Sequence, residues 1–481
     1  MGDWMSTRRS GWWLFAALAM LALLLRLPDI GNPLIDLDDQ LYLLVGDRMR
    51  AGAIPYVDIW DRKPVGLFVI YWMARSLGGD KWQVYQLLAL AVAAGTASLV
   101  GLLAQRAAGS ASSLRVGIAA GAVYLVWIAL LGGRGGQSPV FYNPMMAGAA
   151  WLTWRATTAE AHQRRWGIAA MLLAGLALQV KPAAVFEGVW FGIALLVAAW
   201  RTGERRAMPL YAGSLVAAAL LPTLLAFGVY AAIGHADAWW FANVRSIFLR
   251  ATTPGEHAAM RLGGITLVLL VPFTVAVVGL ARAAQGRWLI AGWLIAAIAG
   301  LLAIPPYFNH YALPLVVPIA VLAGVAMAAS RPLTWLVAAA GAGMLLFSGY
   351  PHLGETPRAR RQVAAAVALV NRYRGAGCLF AFSAPPVLYE ASDSCLPTRW
   401  PFETHLTLLA EAPAIGVNPR AEVARVLAVR PPVIVAGRAI GPFDPAVYAA
   451  TAAVLARDYR PVGTALGATV YALKRRPADN P

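Results

Sequence analysis

Charge is what this 481-residue chain has least of: Asp, Glu, Lys and Arg together make up 13% of it, against roughly 25% in soluble domains. Hydrophobic residues make up 59%. So little polar surface excludes a soluble globular protein, and the long apolar runs exclude a disordered, collagenous or coiled-coil chain. Cysteine is almost missing, Cys378 and Cys395 being the two present, which excludes a disulfide-rich scaffold and a cysteine zinc centre. Acid is scarce as well, with 23 Asp and Glu against 40 Lys and Arg, a net charge of +17. In a soluble chain that excess would point to nucleic acid. Here many of the cations flank apolar runs, as at Arg8/Arg9, Arg164/Arg165 and Arg201/Arg205/Arg206, where lipid head groups and the positive-inside rule place them, and no nucleic-acid partner is expected.

What the chain does have is a series of apolar runs near 11–27, 82–105, 114–132, 144–157, 166–180, 183–200, 209–233, 263–281, 288–304, 311–329 and 332–350. A membrane-crossing helix needs about 20 such residues, so the expected fold is a polytopic α-helical membrane protein of about eleven transmembrane helices. The first run follows Arg8 and Arg9 without a small-residue cleavage site, so it reads as an uncleaved span. Basic connections around 106–115, 155–165, 201–206, 282–287 and 331 share a side with Arg8/Arg9, which makes that side cytoplasmic. Residues 28–81, 133–143, 234–262 and everything after about 351 then lie outside. From 351 to 481 short β-like runs (378–382, 433–436, 469–473) alternate with helical patterns near 358–373, 420–428 and 445–457, predicting a small α/β domain. Two domains are expected: residues 1–350 in the membrane, with 28–81 as first outer loop, and residues 351–481 outside. No internal repeat of the transporter kind is visible.

The acids are unevenly placed. Seven of them, Asp29, Asp36, Asp38, Asp39, Asp47, Asp58 and Asp61, fall between residues 29 and 61, and none occurs from Lys81 through Ala159. Asp29, Asp36 and Asp47 read as loop polarity that water demands. Asp38 and Asp39 precede an amphipathic stretch, Gln40 to Gly46, that would hold a carboxylate pair at the bilayer surface; the plainer alternative is that one of them caps a helix. The stretch Pro55-Tyr56-Val57-Asp58-Ile59-Trp60-Asp61-Arg62-Lys63-Pro64 gathers two acids, two cations and aromatics before the next apolar run. It suits a lipid phosphate, and equally an interfacial anchor of Trp, Tyr and snorkelling cations. Lys181-Pro182 sets a cation between two apolar runs, Glu187 places an ionisable group inside the second, and His310-Tyr311 sits in an outward turn. A carboxylate at that depth is a functional candidate, with a water-contacting role as its rival.

In their order these residues resemble the membrane glycosyltransferases of the GT-C class, in the branch of the protein O-mannosyltransferases and the aminoarabinose transferase of lipid A. The resemblance is carried by Asp38-Asp39-Gln40-Leu41-Tyr42, Gly52, Pro55-Tyr56 and Trp60 to Pro64, then Lys181-Pro182, His310-Tyr311 with Pro314, and the outer domain at the end. It implies inverting transfer of a sugar from a polyprenyl-phosphate carrier, undecaprenyl phosphate in a bacterial inner membrane, to a periplasmic lipid, glycan or protein acceptor. By the same resemblance Asp38 or Asp39 is the general base, and Arg62, Lys63 and Lys181 bind the donor phosphate. Tyr42, Tyr56, Asp58, Asp61, His310 and Tyr311 are expected to line the substrate.

Two departures stand out. Arg62 occupies a position that is acidic in some relatives, and the stretch from Arg134 through Gln137 to Asn143-Pro144 carries no carboxylate, which favours a mechanism without a metal while leaving a divalent ion open. Cys378 and Cys395 begin two consecutive runs in what would be an oxidising compartment, and a disulfide between them is expected. The rival reading is a transporter or lipid flippase, which would be expected to carry its ionisable groups near mid-membrane.

Overall fold

The computed structural model describes residues 2–109, 113–158, 163–203, 205–251 and 257–474, without the side chains of residues 2–10. Arg8 and Arg9, on which the orientation argument leans, therefore have side chains outside the described residues. All eleven apolar runs are helical, from Gly2–Arg26 through Lys81–Ala107 and Leu114–Leu130 to Arg331–Phe347. Among the described residues six helices are long and apolar enough to cross a membrane, and four more are apolar but shorter. The chain is thus a polytopic helical membrane protein with a small sheet near its C-terminal end.

Contacts divide it into two units. The first comprises Met1–Ile30, Tyr85–Ala226 and Ala258–Leu353. At its centre is the helix Leu313–Ala328, buried from Leu313 to Met327, which packs against Leu114–Leu130 and Ala258–Arg282. Small residues make that approach possible, because lipid tails give apolar side chains no reason to cluster and helices associate through close packing. A Cβ on Gly279 would overlap the Leu322 carbonyl, and one on Gly324 would lie 2.5 Å from the Cβ of Ala120. Near one end of the unit, buried Arg26 donates to the carbonyls of Arg134 at 2.9 Å, Gly135 at 3.1 Å and Gly133. That pins the stretch leading into the helix Ser138–Thr158.

The second unit comprises Gly31–Val84, Phe227–His257 and Gly354–Pro481. Its sheet has the order β1-β2-β4-β3, with β1 (Leu379–Phe382) parallel to β2 (Val433–Ala436), and β4 (Ala468–Leu473) antiparallel to both β2 and β3 (Tyr459–Ala465). β3 went unread in the sequence because Pro461 and Gly463 argue against a strand; it is an edge strand with a register shift between those two residues, where a missing N–H is tolerated. The sequence 31–84 folds together with this sheet. Trp60 lies in one apolar core with Phe380, Phe382, Trp400, Ile415 and Ile434, and its backbone N–H donates to Arg399 O at 2.7 Å. Gln40 Oε1 accepts from Val387 N at 3.2 Å, Lys81 pairs with Glu390 at 2.7 Å, and Arg360 with Asp80 at 2.9 Å. Cys378 and Cys395 are joined by an S–S bond of 2.02 Å.

Candidate active site

In the second unit the helix Leu37–Arg50 begins at Asp36, whose carboxylate accepts from Asp38 N at 2.8 Å. Capping therefore falls to Asp36, a residue read as mere loop polarity, and the pair behind it is not needed for that job. Asp39 is completely buried, whereas Asp38 is half-buried. One turn on, the buried Tyr42 marks where the carboxylates converge. Burial first, then the charges of Asp38, Asp61, Asp36 and Asp39, push its phenol well above the usual range. Its hydroxyl has no hydrogen-bond partner among the described residues.

The loop at 54–64 supplies the counter-charge. Tyr56 adopts a φ of 70°, rare for a residue with a side chain, and its hydroxyl donates to the Lys63 carbonyl at 2.8 Å. Asp61 accepts from Lys63 N at 2.9 Å. Held in this way, the Lys63 ammonium stands 5.3 Å from the centre of the Tyr42 ring. The structure thus brings Asp38, Asp39, Tyr42, Tyr56, Asp61 and Lys63 together. Asp58 stays apart: it is exposed and its carboxylate closes its own turn by accepting from Ile54 N at 2.7 Å.

Arg62 faces another way. It grips Glu411 with both guanidinium nitrogens, and Arg250 reaches the same carboxylate at 2.9 Å. Burial alone would raise the Glu411 carboxyl, but Arg62 first, then His405 and Arg250, outweigh it and hold it at about 2. His405, edge-on to Trp60 at 4.9 Å, is lowered to about 4, chiefly by burial, which keeps it neutral near pH 7. Glu403 is raised to about 7, by burial and then by the charge of Asp38. None of Glu403, His405, Glu411 and Arg250 was singled out in the sequence. The signal available was the Trp400-Pro-Phe-Glu-Thr-His405 cluster, set in a tail whose motifs are individually unspecific.

The first unit holds the other predicted residues. Lys181 stands 4.3 Å from the centre of the Tyr311 ring, and His310 packs edge-on to Tyr311 at 4.8 Å. Both Lys181 and Tyr311 line a narrow cleft with Tyr142, Glu187, Gly300 and Ile304. Glu187 is buried and accepts from Trp293 Nε1 at 2.5 Å. Gln137 and Asn143, the two polar candidates of the acid-free stretch, are also buried, Asn143 Nδ2 donating to Tyr124 Oη at 3.3 Å and to Leu313 O at 3.2 Å. Among the described residues no three His, Cys, Asp or Glu side chains come together in a way that would hold a metal ion.

Neither a family model nor a curated protein sequence matches the chain. Solved structures do. ArnT from Cupriavidus metallidurans bound to undecaprenyl phosphate superimposes with a TM-score of 0.69 at 15% identity, covering 96% of this chain and 98% of that one. Its apo state gives 0.67, also at 15% identity, with 96% and 97% covered. The Archaeoglobus fulgidus oligosaccharyltransferase, tethered to an acceptor peptide containing the NVT sequon, gives 0.51 at 11% identity, with 97% of this chain and 74% of that one covered. At such identities the likeness establishes the fold, and that fold is the GT-C glycosyltransferase fold.

Proposed function

We propose that the protein moves a sugar from a polyprenyl-phosphate donor to an acceptor, inverting the anomeric carbon, at the periplasmic face of a bacterial inner membrane. The observation that carries the reading is the convergence of Asp38, Asp61 and Lys63 on Tyr42 within one unit, in a chain with the fold of ArnT bound to undecaprenyl phosphate. The acceptor is a glycolipid, a polysaccharide or a protein.

The chemistry asks for few groups. Asp38, half-buried at the start of its helix, takes the proton of the acceptor hydroxyl as the acceptor oxygen forms its bond to the anomeric carbon. The bond from that carbon to the phosphate oxygen breaks, and polyprenyl phosphate leaves. A phosphate is stable as an anion, so no protein acid has to protonate it; what it needs is positive charge on its oxygens. Lys63, fixed by Asp61 and Tyr56, supplies that charge. Arg62, occupied by Glu411, serves by holding the loop that carries Lys63.

Native mass spectrometry of the purified protein tests this directly. Polyprenyl phosphate should co-purify or bind on addition, and Lys63→Met should weaken its binding about tenfold or more, the loss expected for one charge-assisted hydrogen bond. A protein that takes up no polyprenyl phosphate would sink the reading.

A further inference from the structure

Glu403 takes no part in the chemistry above, yet it lies in the same unit as the base. Four glutamates of that unit are buried. Glu390 pairs with Lys81 at 2.7 Å, Glu411 with Arg62 and with Arg250 at 2.9 Å, and Glu422 with Arg425 at 2.6 Å. Glu403 is as well covered, at 6% exposure, but among the described residues its carboxyl has neither a cation nor a hydrogen bond. Nearby hydroxyls have committed their protons elsewhere. Tyr448 Oη donates to Ser383 Oγ at 2.8 Å, Ser383 Oγ to the Arg438 carbonyl at 3.0 Å, and Thr407 Oγ1 to the backbone carbonyl of Glu403 at 3.0 Å.

The titratable groups around it come from three elements. Asp38 stands on the helix Leu37–Arg50, Tyr448 on the helix Pro445–Asp458, and His405 on the segment of Glu403 itself. Tyr448 and His405 are both neutral near pH 7; the charge that acts on Glu403 is that of Asp38. An ionised Glu403 would thus be a buried carboxylate without a donor, set against a second carboxylate. Both conditions favour the neutral acid, and they accord with a carboxyl raised to about 7, by burial first and then by Asp38. Carboxyls that interact in this way hold their protons as a pair. Asp38, half-buried and so better hydrated, keeps the charge, and Glu403 keeps the proton.

We propose that Glu403 is a positioning residue that acts through Asp38: it stays protonated, so that the two carboxyls carry a single negative charge and that charge sits on the base. The proposal rests on the transferase reading for the role of Asp38 and for an anionic donor. When Glu403 ionises, a second negative charge appears in the unit that has to receive a phosphate ester, and the donor is repelled. A glutamate kept only for packing would have a cation, as Glu390, Glu411 and Glu422 do.

The test is a binding titration of the full-length protein in detergent, repeated across a series from about pH 5.5 to about pH 8.5, which brackets the change expected of Glu403. The probe is undecaprenyl methyl phosphate, a phosphodiester that holds one negative charge throughout, so a change of affinity with pH belongs to the protein. The parent should bind about tenfold weaker at the upper end than at the lower, the effect of one added like charge in a protein interior. Glu403→Gln, neutral at every pH, should bind equally at both ends. Asp38→Asn removes the charge that acts on Glu403, and should keep the pH dependence while moving its midpoint to lower pH. If the parent's affinity does not change with pH, or Glu403→Gln keeps the loss, the proposal is refuted while the transferase reading stands. An Asp38→Asn midpoint equal to the parent's refutes it as well, and that arm needs no Glu403 variant to fold. If the parent binds the probe at no pH, both fall.

Discussion

At the scale of single residues the carboxylates divide by burial. Asp38 is half-buried and acts electrostatically on Tyr42 and Glu403, while Asp39 is sealed inside the second unit. Asp38→Asn should lower turnover by about 10²–10⁴-fold, the usual contribution of a general base, and leave lipid binding intact. Asp39→Asn should show its effect mainly in the melting temperature; assays of turnover and thermal unfolding on both variants separate the two roles. Glu403 gives a pH prediction. Its folded-state pKa is raised from 4.5 to about 7, by burial and then by Asp38, so the folded state favours the protonated form. Stability from this group is fully present below pH 4.5 and is lost as pH rises through about 7. Glu403→Gln should therefore melt higher than the parent at pH 8, with the gap closing toward pH 4.5. A gap that stays constant with pH would show that Glu403 does not titrate in this range.

At the scale of elements two contacts bear most weight. The Arg62–Glu411–Arg250 cluster ties the 54–64 loop to the C-terminal segment within the second unit. Glu411 is held at about 2 because burial, which would raise it, is outweighed by Arg62, His405 and Arg250. Its contribution is thus present above pH 4.5 and disappears as pH falls through about 2. Arg62→Ala should destabilise by about 1.5–3 kcal/mol, the usual worth of a hydrogen bond to a charged group, because Arg250 still pairs with Glu411; denaturant melts read the loss. In the first unit, Gly279→Ala would drive a methyl into the Leu322 carbonyl. The expected loss is about 1–3 kcal/mol, read as a lower melting temperature in detergent. Elements were more legible than contacts: β2 was bounded correctly from its apolar run, and the helices at 355–374, 419–428 and 445–458 lie where periodicity puts them. β3 and the short helix Val387–Ala391 were not seen, because five to seven residues with mixed polarity leave no periodic signal.

At the scale of the whole molecule, the Cys378–Cys395 bond closes a 17-residue separation in the second unit and should leave no alkylatable thiol in the unreduced protein; mass spectrometry after alkylation reads this directly. Composition alone was enough to require a bilayer, since a chain 13% charged cannot cover a soluble surface, and the eleven runs that hydropathy picked out are all helical, though it passed over the short apolar helix Val65–Ser76. Order along the chain was enough to suggest the GT-C fold, because Asp38-Asp39, the 54–64 loop, Lys181 and His310-Tyr311 lie far apart in an arrangement that composition cannot produce. Three things were decided only by the tertiary structure. Asp36, not its neighbours, caps the first loop's helix, which depends on a φ and ψ that no pattern records. Arg62 is bound to Glu411, a partner 349 residues away. The Tyr142–Glu187 cleft brings together residues from four stretches of chain. Periodicity reports which face of an element is buried; it carries no information about what that face meets, because a long-range contact is a property of two segments at once.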